Sequence, residues 1–183
     1  GSLIHNKSKT NKNIISGLSS ITNVVLLSLE GSGMQGIPGI AFRFFKSLAA
    51  GKINVIMITQ ASSEYSICVA IKETDAIDAI RLVEEEFSFE IRRKLIKPVK
   101  ATNDLCLLAI IGEGMKEMPG VAGKLFQTLG NNGINIEAIA QGSSELNITF
   151  AINKADELKA LNCLHDTFFL SEYKTVNLFI VGT

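Results

Sequence analysis

"LSLEGSGMQGIPGIAFRFFKSLAAGKINVIMITQASSEYSICVAI", residues Leu27 to Ile71, returns 81 residues later as "LAIIGEGMKEMPGVAGKLFQTLGNNGINIEAIAQGSSELNITFAI", residues Leu108 to Ile152. The two stretches align without a gap, and 19 of their 45 positions are identical. Gly31/Gly112, Gly33/Gly114, Met34/Met115, Pro38/Pro119, Gly39/Gly120, Asn54/Asn135 and Gln60/Gln141 are among them, as is the Ser-Ser-Glu triplet at Ser62 and Ser143. A solenoid needs three or more repeats to bury its faces. Two copies of roughly 80 residues therefore specify two domains of one fold, and 183 residues hold both.

Within one copy the hydrophobic period changes from element to element. Val24 to Leu29 is a continuous apolar strand; after Pro38, suited to a first helical turn, Ile40, Phe44, Phe45 and Leu48 recur at helical spacing. Ile53 to Gln60 is a strand, Ser62 to Glu64 a tight turn, and Tyr65 to Ile71 the returning strand of a hairpin. Thr74 is placed to cap a second helix, Asp75 to Phe87, with the stripe Ala76, Ile77, Ile80, Val83 and Phe87, and Ser88 to Ile96 is expected to supply a closing strand. The second copy repeats the order at Leu105 to Ile111, Pro119 to Asn131, Ile134 to Gln141, Leu146 to Ile152 and Ala155 to Phe168. The fold class is α+β: two ferredoxin-like β-α-β-β-α-β domains, each an antiparallel sheet with its helices on one face.

Bulk composition narrows the function. Eighteen basic residues balance eighteen acidic ones, leaving no net field to attract nucleic acid or an anionic membrane. The apolar runs fall short of a membrane span, and the polar start "GSLIHNKSKTNKN" is unlike a signal; its "GS" is expected to be a cloning scar and Lys7 to Asn13 a linker. Cys68, Cys106 and Cys163 are far apart and lack paired spacing, which argues against a disulfide framework or a zinc site and fits a reducing cytoplasm. No metal site is expected. Glu84 to Glu86 and Arg92 to Lys94 are expected to be solvated faces, and His165, in the last turn of its helix, has no nucleophile arranged near it.

Gly31, Gly33 and Gly36 satisfy the G-x-G-x-x-G spacing of a dinucleotide loop between strand and helix. A small nucleotide-dependent enzyme built on this loop is thus one reading. Against it, the strand after the helix ends in Gln60 or Gln141 where a ribose-binding acid would stand, a hairpin follows, and Glu117 replaces the third glycine in the second copy. The alternative occupant is smaller. Unpaired amides at the start of a helix, at the positive end of its dipole, suit a carboxylate. Alternation along the next strand places Asn54, Ile56, Ile58 and Gln60 on one face, matched by Asn135, Glu137, Ile139 and Gln141. An amide oxygen there can accept from the ammonium of a small amino acid, or the amides can instead satisfy backbone at an interface.

With these residues in view, the tandem units, "GSGM" with its following Pro-Gly, "INVIMITQASSEYSI" and "INIEAIAQGSSELNI" resemble the paired ACT domains that form the regulatory part of aspartate kinases. The pattern is nearest to the threonine-sensitive branch in which the aspartokinase is fused to a homoserine dehydrogenase. It covers about Ile14 to Thr183. Lysine-sensitive relatives typically carry "ITTSE" where this chain has "ITQASSE", and the tail "VNLFIVGT" is similar to the first strand of the dehydrogenase domain.

The resemblance implies an allosteric fragment, itself non-catalytic, of an enzyme whose kinase domain lies upstream and whose dehydrogenase domain lies downstream. It implies threonine as the effector, lysine being the alternative. Contacts carry over to Gly33, Met34, Pro38, Asn54 and Gln60, and to Gly114, Met115, Asn135 and Gln141. It further implies ATP with Mg and NADP for the catalytic domains of the parent, no cofactor for this stretch, and a homodimer through the ACT domains. The expected division is 1–13 tag remnant and linker, 22–100 first domain, 14–21 plus 101–175 second domain, and 176–183 the start of the dehydrogenase. One unit is inserted into the other, so Ile14 to Ser20 is expected to add a strand to the second unit's sheet.

Overall fold

A computed structural model describes residues 14–60 and 65–170; the expected linker, the Ser62 to Glu64 turn and the tail "VNLFIVGT" lie outside the described residues. The chain runs through β1 (Gly17–Glu30), α1 (Ile40–Ala50), β2 (Val55–Gln60), β3 (Ser66–Lys72), α2 (Ala76–Glu86) and α3 (Ser88–Arg92). It continues through β4 (Lys100–Ile111), α4 (Val121–Asn131), β5 (Ala138–Gln141), β6 (Asn147–Asn153) and α5 (Glu157–His165). The strands form one antiparallel sheet in the order β2-β3-β1-β4-β6-β5.

The centre of that sheet joins the two halves. Gly17 to Ile21 pair with Ile111 to Leu107, and Leu26 to Ser28 pair with Thr102 to Lys100. Between the two stretches the register shifts, where Asn23 (φ 57°) and Asp104 (φ 58°) both take the left-handed conformation that Asn and Asp tolerate best among side-chain-bearing residues. Each long strand thereby changes its neighbours at the bulge. The start of β1 lies beside the second half of β4, and the start of β4 beside the second half of β1.

Strand alternation sorts the apolar residues into three clusters. Val25, Leu27, Leu29, Val69 and Ile71 pack with Phe44, Leu48, Val83 and Phe87 from α1, α2 and the residue after it. Ile15, Cys106, Leu108, Ile110, Phe150 and Ile152 pack with Leu125, Leu129, Ala160 and Leu164 from α4 and α5. The opposite faces of the same strands contribute Val24, Leu26, Met57, Ala70, Leu105, Leu107 and Ala151 to a third cluster. Since β2 also touches β5, the two helix-free faces fold toward each other over this third core. Among the described residues no helix is long and apolar enough to cross a membrane.

Several local expectations need correction. Ser88 to Ile96 is not a strand: helical bonds continue from Phe87 N–H to the Val83 carbonyl and from Ile91 N–H to the Phe87 carbonyl, and the first domain's closing strand starts only at Lys100. The alternating Phe87, Phe89 and Ile91 imitate a strand, while the local backbone satisfies itself as one more helical turn. Pro38 and Pro119 precede their helices instead of opening them; Gly39 and Gly120, each at φ 91°, are the N-caps. Ile77, expected in the buried stripe, is 83% exposed, and Ala79 takes the core position. Of the three glutamates expected to be merely solvated, Glu84 accepts from the Val99 amide and Glu86 pairs with Arg43; Glu85 pairs with exposed Arg81.

Candidate functional site

The loop from Gly31 to Gly39 is held by its own backbone. The amide of Gly31 donates to the Tyr65 carbonyl at 3.0 Å, that of Met34 to Gly31 at 3.2 Å and that of Ile37 to Met34 at 3.3 Å. The Met34 side chain enters the first core and that of Met115 the second, each 3% exposed. The Gly33 amide donates to the Leu95 carbonyl at 2.9 Å, and a Cβ on Gly33 would lie 2.7 Å from that of Leu95. Gly114 is likewise pressed against Ile14, 3.0 Å from its Cα. These two glycines admit the crossing chain and do not open toward the cavity that follows.

That cavity, about 310 Å³, lies at the start of α1. Met34, Pro38 and Gln60, three of the five residues singled out in the first unit, line it. Gly36, Ile37, Gly39, Ile40, Ala41 and Ile67 complete the wall. Gly39 offers no side-chain cap, so the first amides of α1, including those of Ile40 and Ala41 in the wall, have no side-chain acceptor at the N-cap. Exposed Gln60 ends β2, opposite Ile67 of β3. Asn54 precedes the other end of the same strand and does not reach the cavity. Among the described residues the wall carries hydrogen-bonding groups, apolar surface and no ionisable side chain. It is equipped to hold a small ligand.

The second unit differs. At the start of α4 a cavity of about 180 Å³ is lined by Ile14, Met118, Pro119, Gly120, Val121, Lys124 and Phe168, without Gln141. Gln141 is exposed at the end of β5, and the Asn135 amide donates to the Glu137 carboxylate at 2.7 Å. The Glu145 carboxylate accepts from the Glu117 amide at 2.8 Å, occupying part of the loop. Pro119 is thus at the cavity, while Asn135, Gly114 and Met115 are not.

Sequence reasoning missed Ile37, Ile40, Ala41 and Ile67. Ile67 was legible once Gln60 was chosen, because a hairpin fixes the residue opposite. The thiols stand apart from the site: Cys68, Cys106 and Cys163 are free, and burial pushes Cys106 up to about 11. His165 stacks on Phe169 at the end of α5. Among the described residues no cluster of metal-ligating side chains occurs.

Comparison with known proteins follows the same division. A family model described as ACT domain matches residues 27–87 and again 108–168. The chain is 35% identical over 184 residues to a bifunctional aspartokinase/homoserine dehydrogenase of Haemophilus influenzae, covering 100% of this chain and 22% of that protein. It is 38% identical over 168 residues to the chloroplastic bifunctional aspartokinase/homoserine dehydrogenase 2 of Arabidopsis thaliana, covering 92% and 18%. The chain thus spans about a fifth of the length of these curated relatives. The ligand-free regulatory subunit of aspartate kinase from Thermus thermophilus superposes with a TM-score of 0.69 at 26% identity, over 85% of this chain and 99% of that one.

Proposed function

The chain belongs to the ACT domain family, and on that premise we propose that it is the effector-sensing region of an aspartokinase fused to a homoserine dehydrogenase, binding threonine for feedback inhibition. The observation that carries this reading is the cavity that brings Gln60 to the uncapped start of α1. The effector's carboxylate takes the free amides of Ile40 and Ala41, where the helix dipole favours negative charge. The Gln60 amide oxygen accepts from the ammonium. Ile37, Ile40 and Ile67 face the β-methyl. A lysine ammonium would enter a wall whose described residues supply no carboxylate, at a desolvation cost a neutral side chain avoids.

The parent enzyme, in this proposal, acts in the cytoplasm as a homodimer joined through these domains, with ATP and Mg serving its kinase and NADP its dehydrogenase. Threonine shifts the kinase equilibrium only by its differential affinity for the two arrangements. A coupling of about 1–3 kcal/mol gives roughly 5- to 150-fold changes in affinity. Calorimetry on the 183-residue chain with threonine, lysine and a dinucleotide tests the reading. Saturable heat with threonine alone is the expected result; binding of lysine or the dinucleotide in its place overturns it.

A further inference from the structure

Arg43 lies one turn into α1, its amide closing the first turn on the Gly39 carbonyl at 3.0 Å. Its guanidinium forks across two other elements. Nε donates to Glu86 Oε1 at 2.7 Å, Nη1 to Glu90 Oε1 at 2.6 Å and Nη2 to the Glu86 carbonyl at 2.8 Å, while the group lies 4.4 Å from the centroid of the Phe87 ring. The Glu90 carbonyl in turn accepts the Leu95 amide at 2.9 Å, and the Leu95 carbonyl accepts the Gly33 amide at 2.9 Å. From Gly33 the chain runs along the cavity wall back to α1. The circuit is closed: α1, Arg43, Glu90, Leu95, Gly33 and the wall.

We infer that Arg43 is a positioning residue, clamping the start of α1 against the Gly33 loop so that the first unit's cavity is formed before its ligand arrives. The inference rests on the effector reading for what fills the cavity, but the clamp itself can be tested without ligand. Preformation matters because ordering a loop on binding subtracts from affinity. In the second unit the segment crossing the loop is Ile14, from the start of the described chain, with no direct run of backbone linking it to α5. Among the described residues the backbone path that closes the first unit's circuit has no counterpart there, and the glutamine of that unit stands outside its cavity.

Two variants of the 183-residue chain test it: Arg43→Met, which removes the guanidinium but keeps an unbranched side chain, and the milder Glu90→Gln. Amide hydrogen exchange without ligand is the first readout. The expected result is about fivefold or faster exchange confined to Gly33, Met34 and Ile37, with Met115 and Met118 of the second loop and the strands of the first core unchanged, and with Arg43→Lys intermediate. Unchanged exchange, or exchange raised equally across the strands of the first core, overturns the inference, since a merely structural ion pair loosens its whole domain. Threonine calorimetry is the second readout. If the parent chain binds, weakening of about fivefold or more in both variants supports positioning, and equal affinity overturns it. If the parent chain does not bind threonine, the effector reading fails and the exchange result alone decides the clamp.

Discussion

A Cβ on Gly112 would stand 2.8 Å from the Cα of Ile15. Its repeat mate Gly31 would meet the Cα of Ile96 at 2.6 Å. Both glycines have extended backbone, φ 179° and 166°, which any residue adopts. Space, not conformation, excludes a side chain. Ile15 and Ile96 are also 81 residues apart, so the repeat extends to the segments that cross each loop. In the first unit the crossing segment follows its own helices; in the second it comes from the far end of the sequence.

The close approach predicts an unequal response to a single methyl group. Gly112→Ala and Gly31→Ala should each lose about 1–3 kcal/mol, because the new carbon meets backbone that cannot rotate away. Gly123, inside α4 with nothing within 4 Å of where a Cβ would stand, is the control. Gly123→Ala should gain about 0.5–1 kcal/mol from helix propensity. Urea unfolding of the three variants decides it; equal stability of Gly112→Ala and the parent would refute the packing argument.

Removal of residues 1–20 should damage the second unit more than the first. It deletes Ile15 and Leu18 from the second core and strips the β1 partners from Leu108 to Ile111 of β4, which then pair with β6 alone. Faster hydrogen exchange is expected along that half of β4 and in α4, with β3 retaining its protection. Loss spread evenly over both units would contradict the exchanged-strand arrangement.

Two kinds of information account for what was legible. The repeat exposed the two-domain architecture, because Gly31/Gly112 and Gly39/Gly120 recur wherever backbone must pass closely or turn left-handed. The expected insertion of one unit into the other rests on family resemblance, since no local pattern in "IISGLSS" names the partner strand, Leu107 to Ile111, that β1 pairs with. Ser88 to Arg92 misled because Phe87, Phe89 and Ile91 alternate, yet Phe89 is 54% exposed beneath the Arg93 guanidinium and only Phe87 is fully buried. Gln60 was legible as a polar strand end beside a helix start and it lines the cavity, whereas Gly33 is taken up by Leu95. A glycine needed for chain crossing and one needed for a ligand leave the same letter in the sequence.

Acid should weaken the first unit through Glu90. The Arg43 guanidinium holds the Glu90 carboxyl below its ordinary range, chiefly by hydrogen bonding, although burial opposes this. A carboxylate whose folded pKa is depressed contributes stability above its unfolded value, about 4.3, and loses it as pH falls through that value toward the folded one. Protection of the Gly33 amide, corrected for the slower intrinsic exchange in acid, should therefore fall between about pH 5 and pH 3 in the parent and much less in Glu90→Gln, which has no charge to lose. Parallel pH profiles for the two proteins would exclude Glu90 as the source.

The two glutamines should not be equivalent. Gln60 lines the cavity at α1, whereas Gln141 ends a strand outside the corresponding cavity. Removing one hydrogen bond to a bound ligand costs about 0.5–1.5 kcal/mol, more where the partner is charged, so Gln60→Ala should weaken threonine binding by roughly 3- to 30-fold. Gln141→Ala should change it less than twofold, and the double variant should match Gln60→Ala. Unfolding midpoints of all three should stay with the parent, because both side chains are exposed and neither packs in a core. Calorimetry on the three variants measures each term. Full threonine affinity in Gln60→Ala would remove the amide from the site, and a loss confined to Gln141→Ala would move the site to the second unit.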